Sequence, residues 1–402
     1  MTESAPAERN RRDAALEALR GLASVSVLFW HNILGFFPQR SGIYPGQDLS
    51  KAFVSRFWFG LVYGTSAVAF FFVLSGFVLT RRFFLSGDVT SIQRNAIKRW
   101  PRLAMPVLVT VLASWACLRF QLYSHQPAAI ITQSWWLWYF GNASNTPIVP
   151  DFLFALRLGT LLTFFHGDSL YDSSLWTMRF EFVGSFVVMG LALLVRQTPT
   201  RALKIYLIFV VMAVCHYTDP QYVAFPVGMS LAAFLPDAKR MTPRWLTAGT
   251  VVFAIYCLGY TGLAVGAFRP LAWLVPSAVP SAYVNVLGSV LLIVAAETSQ
   301  SLHSWLSARW AVFLGRLSFP LYLVHVPVTC SVGSAVLIKV NPRLGAPNAE
   351  LVAAAAAMVA SFAIAYPLTV LNERWLVRLN KIVERVLPRG DALGSASRTA
   401  SS

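Results

Sequence analysis

Two histidines, one glutamate and a pair of arginines are the side chains in this sequence best suited to chemistry: His31, His325, Glu181, Arg99 and Arg102. An imidazole near neutral pH both accepts and donates a proton. His31 follows Arg20 in an otherwise apolar run, and on a helix that spacing places it roughly 16 Å beyond the arginine. Glu181 closes the run Trp176-Thr177-Met178-Arg179-Phe180-Glu181 and needs a histidine or an arginine beside it if it is buried. Arg179, two residues away, would point from a different face of a helix. Arg99 and Arg102, in Lys98-Arg99-Trp100-Pro101-Arg102, share a helical face at their spacing of three. Their planar guanidinium groups suit phosphate. Tyr322 and His325 also share a face, and Ser75 carries a hydroxyl before Gly76. Each has a plainer alternative. His31 is equally a packed, hydrogen-bonded histidine, Glu181 a structural ion pair, the arginines membrane-edge anchors, and Tyr322 with His325 a packed pair. Ser75 has no base adjacent in sequence and reads first as packing.

These residues sit in a chain built for lipid. Of 402 residues, 56% are hydrophobic and 12% charged, with a mean hydropathy of +0.58. A soluble domain carries roughly 25% charged residues, so too little polar material remains to cover a water-facing surface. A span needs about 20 predominantly apolar residues. By that measure helices are expected near Arg20–Phe37, Gly60–Thr80, Leu103–Tyr123, Leu175–Val195, Leu203–Tyr217, Tyr222–Leu235, Trp245–Leu263, Ala282–Ala296, Trp310–Ile338 and Leu351–Leu371. The fold class is therefore an all-α membrane protein, a polytopic bundle of about ten transmembrane helices. The stretch Ser134–His166 is aromatic but broken by Asn142, Asn145, Pro147 and Pro150. It reads as an outer-face or re-entrant segment with a Trp/Tyr belt. With ten spans and both termini cytoplasmic, most of the 33 Lys and Arg fall in inner loops. An eleventh span at Ser134–His166 would put the later basic clusters outside.

The net charge of +16 is thus topogenic, and nucleic acid is not an expected partner. Cys117, Cys215, Cys257 and Cys330 are far apart in apolar stretches and form neither a disulfide framework nor a metal set. Asn142-Ala143-Ser144 matches a glycosylation sequon, a weak signal. No cleavable signal peptide is apparent, so the first apolar run reads as a retained helix. Residues 1–12 are a polar N-terminal segment, 13–375 the transmembrane domain and 376–402 a basic, disordered tail.

Taken together, these segments resemble the acyltransferase 3 family of membrane-bound O-acyltransferases. The resemblance rests on Leu16-Glu17-Ala18-Leu19-Arg20-Gly21 with His31, on Phe71-Phe72-Val73-Leu74-Ser75-Gly76-Phe77 and on Arg99-Trp100-Pro101-Arg102. It extends to Trp176-Thr177-Met178-Arg179-Phe180-Glu181 and to the run from Leu314 to His325. Thr177 and Met178 depart from the usual Ser and Leu, and no SGNH-type hydrolase domain follows the bundle. The resemblance implies acyl-CoA, by family habit acetyl-CoA, as a cytoplasmic donor, with a glycan or glycosylated product as acceptor. It further implies that Arg99 and Arg102, with Arg20 as a third contact, hold the CoA phosphates while the thioester reaches His31. His31 would act as general base, or become acylated and pass the group on. Glu181 would orient an imidazole or bind the acceptor, and Ser75, Trp176, Tyr322 and His325 would wall the cavity. No metal is expected. The expected location is a bacterial cytoplasmic (inner) membrane. The main rival is a transporter or exporter of a glycan or lipid-linked product, whose inverted repeats are not found here. A non-catalytic scaffold is a second rival, and it gives no reason for His31, Glu181 and paired arginines to coincide. Acceptor, acyl chain length and oligomeric state stay open.

Overall fold

The structure is a computed structural model that describes residues 5–142, 147–235 and 241–387, with side chains from residue 14 onward. Ala143 and Ser144 of the sequon, Asn145, Lys239, Arg240 and the tail after Leu387 lie outside the described residues. The described chain is helical, with no strand among its residues. Ten principal helices are α1 (Ala5–Phe36), α2 (Gly64–Ser86), α3 (Val89–Arg119), α4 (Trp176–Gln197), α5 (Arg201–Thr218), α6 (Ala224–Phe234), α7 (Arg244–Leu258), α8 (Ser281–Thr298), α9 (Arg309–Leu344) and α10 (Asn348–Val386). Among the described residues, seven helices are long and apolar enough to cross a membrane: α2, α3, α4 (with the turn before it), α5, α8, α9 and α10. In α1 the polar residues Arg20, Ser24, Ser26, His31 and Asn32 dilute the hydropathy. α6 has 11 residues and α7 has 15, which is short of the roughly 20 that a span requires.

A helix lies at each of the ten expected positions, although among the described residues seven have the length and apolarity of a span, and most run past the ends that apolarity alone suggests. Hydropathy sees only the lipid-facing stretch, whereas hydrogen bonding continues wherever a cap allows. α3 starts at Val89 because Asp88 caps it, accepting from the Thr90 amide at 2.9 Å. α1 is helical from Ala5, within the polar N-terminal segment, and α10 runs to Val386, so helix extends into the tail expected to be disordered. The stretch after α3 forms short helices at His125–Thr132, Trp135–Trp138 and Phe152–Phe165, none of span length. Arg99 of α3 reaches Ser185 of α4, and Ser114 of α3 reaches the Tyr171 carbonyl just before α4. The two helices are therefore antiparallel, and the segment between them leaves and re-enters at one end of the bundle.

Two close helix contacts set the interior. A Cβ on Gly21 would lie 2.5 Å from the Leu314 carbonyl carbon, and one on Gly315 would lie 2.5 Å from the Glu17 carbonyl oxygen. Only glycine lets the α1 and α9 backbones approach this closely. Gly76 of α2 and Gly228 of α6 pack the same way, each against the other helix's backbone. From the Gly21 crossing α1 and α9 run parallel: Leu28 packs among Leu317, Leu321 and Val324, and Phe36 reaches Gly333. The histidines sit at matching distances beyond the two glycines, and the crossing brings them together.

Candidate active site

His31 and His325 face each other across the α1–α9 contact. His31 Nδ1 lies 2.7 Å from His325 Nε2, and the rings stack with centroids 4.8 Å apart. His325 Nδ1 lies 2.6 Å from the Tyr322 carbonyl oxygen. A carbonyl only accepts, so His325 Nδ1 carries the hydrogen. In neutral His325 the Nε2 then holds a lone pair, and His31 Nδ1 must donate to it. By elimination His31 Nε2 presents a lone pair, with no hydrogen bond to it among the described residues. His31 is half-buried while His325 is buried. On its other face His31 stacks against Trp136, with centroids 5.0 Å apart and planes at 22°. The arrangement is an aligned base: a ring clamped between aromatic planes, its tautomer fixed by a second histidine that is itself fixed by backbone.

One turn back along α9, Tyr322 continues the polar line. Its hydroxyl is 2.8 Å from Thr177 Oγ1 and donates to the Ser174 carbonyl at 2.8 Å. Ser174 in turn donates from its amide and hydroxyl to one oxygen of Asp172, at 3.0 and 2.8 Å. Asp172 is fully buried, and its other oxygen has no partner among the described residues. Burial pushes this carboxyl up to about 7 against the two Ser174 hydrogen bonds.

Below Thr177 on α4 lies Glu181. Its partner is Arg99 of α3, in a close ion pair. Arg99 also donates from Nε to Ser185 Oγ at 2.9 Å and from Nη2 to the Glu181 carbonyl at 3.2 Å. Ser75 of α2 donates its hydroxyl to Glu181 at 2.7 Å. One carboxylate thus ties together α2, α3 and α4. The sequence groups Arg99 with Arg102 as a phosphate pair, but the structure separates them: Arg99 is buried and committed to Glu181. Arg102 is exposed and makes no ion pair or hydrogen bond among the described residues. Protein surrounds its guanidinium, with Arg99, Arg20, Glu17 and Glu181 within electrostatic reach, yet water reaches it. That combination describes a side chain in an open crevice. Arg20 is half-buried, donating to Ser318 Oγ at 2.8 Å and pairing with Glu17 at 3.0 Å.

The acyltransferase-domain family matches residues 13–370, nearly the whole chain. The chain belongs to this acyltransferase family. The O-acetyltransferase PaAT-1 of Phomopsis amygdali is 24% identical over 400 positions, taking in 83% of this chain and 76% of the relative. No solved structure gives a significant match.

In this integral membrane acyltransferase, motifs from five separate segments converge on one polar line. It descends from His31 and His325 through Tyr322 and Thr177 to Glu181, Arg99 and Ser75, with Arg102 and Arg20 beyond. Trp176, at the start of α4, is half-buried, and its ring meets Phe180 edge-on at 5.7 Å. Glu181 touches an arginine and a serine, and no bond joins it to either imidazole. Three contributors escape sequence reasoning. Trp136 reads as part of an interfacial belt, Ser185 as one more small residue in a span, and Asp172 as a loop acid. Only the equal spacing of Gly21 to His31 and Gly315 to His325 hints in sequence that the two histidines meet.

Proposed function

We propose that this acyltransferase moves an acetyl group from acyl-CoA to a hydroxyl of a glycan or glycosylated product. The proposed setting is a bundle of ten spans with both termini and the arginine-rich end in the cytoplasm, in a bacterial inner membrane. The observation that carries the reading is the free Nε2 of His31, directed by His325 and reached through a line of polar groups from the exposed Arg102. The parallel run of α1 and α9 supports an odd number of crossings between them, as seven intervening spans would give, and the basic loops support a cytoplasmic arginine-rich end. The O-acetyltransferase named above supports acetyl as the group moved.

Arg102, assisted by Arg20, is assigned the donor phosphates. Of Arg20, Arg99 and Arg102 it is the one that is both accessible and unpaired, and a guanidinium in that state binds phosphate in forked fashion. In direct transfer, His31 Nε2 takes the acceptor hydroxyl proton as the oxygen attacks the thioester carbonyl. The C–S bond breaks, and the CoA thiolate leaves with the proton from the imidazolium. His325 Nε2 shares the positive charge while it is on His31. If His31 instead carries the acetyl group, the same nitrogen attacks the thioester and the C–S bond breaks to release CoA thiolate; the acceptor hydroxyl then attacks the acyl-imidazole, the C–N bond breaks, and the hydroxyl proton passes to the thiolate. Glu181, neutralised by Arg99, is assigned a positioning role: it holds α2, α3 and α4 around the passage. Purified protein in vesicles with acetyl-CoA and an acceptor glycan tests the donor assignment. Arg102→Ala should raise the KM for acetyl-CoA about tenfold or more, the scale of a lost charged contact, with kcat little changed. An unchanged KM overturns it.

A further inference from the structure

We propose that the arginine-rich end of the bundle carries a binding site for the phosphate headgroup of an anionic phospholipid, separate from the candidate active site. The ends of α2, α4 and α6 and the start of α5 enclose a hollow of about 170 Å³, lined by Phe84, Leu85, Arg196, Lys204, Ala233 and Phe234 among others. Arg196 is fixed there. It donates to the Phe84 carbonyl at 2.9 Å, and its guanidinium lies over the Phe83 ring, 5.4 Å from the centroid. Gly87, at φ 73°, backs against it, and a Cβ there would sit 2.5 Å from Arg196 Nη2. Arg201 lies over the Phe234 ring at 6.0 Å. None of Arg196, Arg201 and Lys204 has an ion pair among the described residues.

Two unpaired cations that line a hollow, Arg196 and Lys204, with Arg201 over one of its rings, repel one another unless an anion lies between them. Cations that merely anchor a helix at the membrane edge reach outward to water. Arg196 is also exposed, but it is held by a carbonyl and a ring at the wall of a cavity. The hollow holds a phosphate-sized group, and what surrounds it is apolar and exposed. Leu85 is 50% exposed, Phe234 41% and Leu194 56%. α5 is the least packed of the spans, with 11% of its apolar window buried in the protein. A free phosphate makes no use of that surface, whereas a phospholipid places its headgroup among the cations and its chains along α5.

The test adds phosphatidylglycerol, phosphatidylcholine or inorganic phosphate to the full-length protein in neutral detergent, reading bound lipid by native mass spectrometry and thermal midpoint by fluorescence. Phosphatidylglycerol should be retained and raise the midpoint, while the other two should do neither. R196Q/K204Q should lose at least tenfold in apparent affinity for phosphatidylglycerol. The single K204Q, whose ammonium makes no hydrogen bond or ion pair among the described residues, keeps the test usable if the double variant does not fold, and should weaken binding by a smaller factor. Equal retention of phosphatidylcholine, an equal shift with inorganic phosphate, or an undiminished preference in the variant that folds overturns the proposal.

Discussion

His31 owes its proposed role to its neighbours. Unconstrained, a neutral imidazole divides its hydrogen between two nitrogens; here the chain Tyr322 carbonyl, His325, His31 leaves only one assignment. His325→Ala should therefore lower kcat by about 10- to 100-fold, less than loss of the base itself. His325→Gln should restore much of it, because a glutamine amide can donate to the carbonyl and accept from His31 Nδ1. Equal loss in the two variants would make His325 a packing residue. Asp172 belongs to this scale too. Its carboxyl stands at about 7 in the folded chain against 3.8 for the unperturbed group. The folded state thus binds the proton more tightly than the unfolded one, and stability falls as pH rises from about 4 to about 7. Asp172→Asn keeps the cap to Ser174 and should remove that fall, as thermal midpoints between pH 5 and 8 would show. Sequence made most of these residues legible as types, because a polar group in lipid is conspicuous. It could not assign partners, since Glu181 pairs with an arginine some eighty positions away and Trp136 comes from a segment without helical periodicity.

At the scale of elements, the site depends on the α1–α9 crossing. Gly21→Ala would drive a methyl group into the Leu314–Gly315 backbone, where no flexible side chain can yield. The helices must part, and the histidine contact farther along widens. Gly21→Ala should thus lose most activity while still inserting, and a cysteine pair placed at Leu28 and Leu321 should cross-link less readily. Wild-type activity in this variant would contradict the crossing. The Arg99–Glu181 pair joins α2, α3 and α4 through Ser75 and Ser185; such a buried pair fixes arrangement more than it adds net stability. Helix existence was legible from apolar runs because lipid imposes the period and length. Helix ends were not, because caps such as Asp88 and the π-turn at Thr329–Gly333 of α9 leave hydropathy unchanged.

Over the whole molecule, charge and polarity are ordered along one direction. Arg102 and Arg20 lie toward the end where α1 and α9 begin; the imidazoles lie farther in, and Trp136, between α3 and α4, stacks on His31 from the far end. This order gives the proposed reaction a side for the donor and a depth for proton transfer. Composition predicts a membrane bundle without predicting that order, which arises from how five motifs fold onto one axis. The central claim is that His31 uses a donor admitted only at the arginine-rich end. The direct measurement supplies membrane-impermeant labelled acetyl-CoA to sealed vesicles of either orientation, with acceptor on both sides. Label should reach the acceptor only when the cytoplasmic face is outward, and His31→Ala, inserted at wild-type levels, should transfer none. Transfer by His31→Ala, or transfer from the opposite face, would contradict the account.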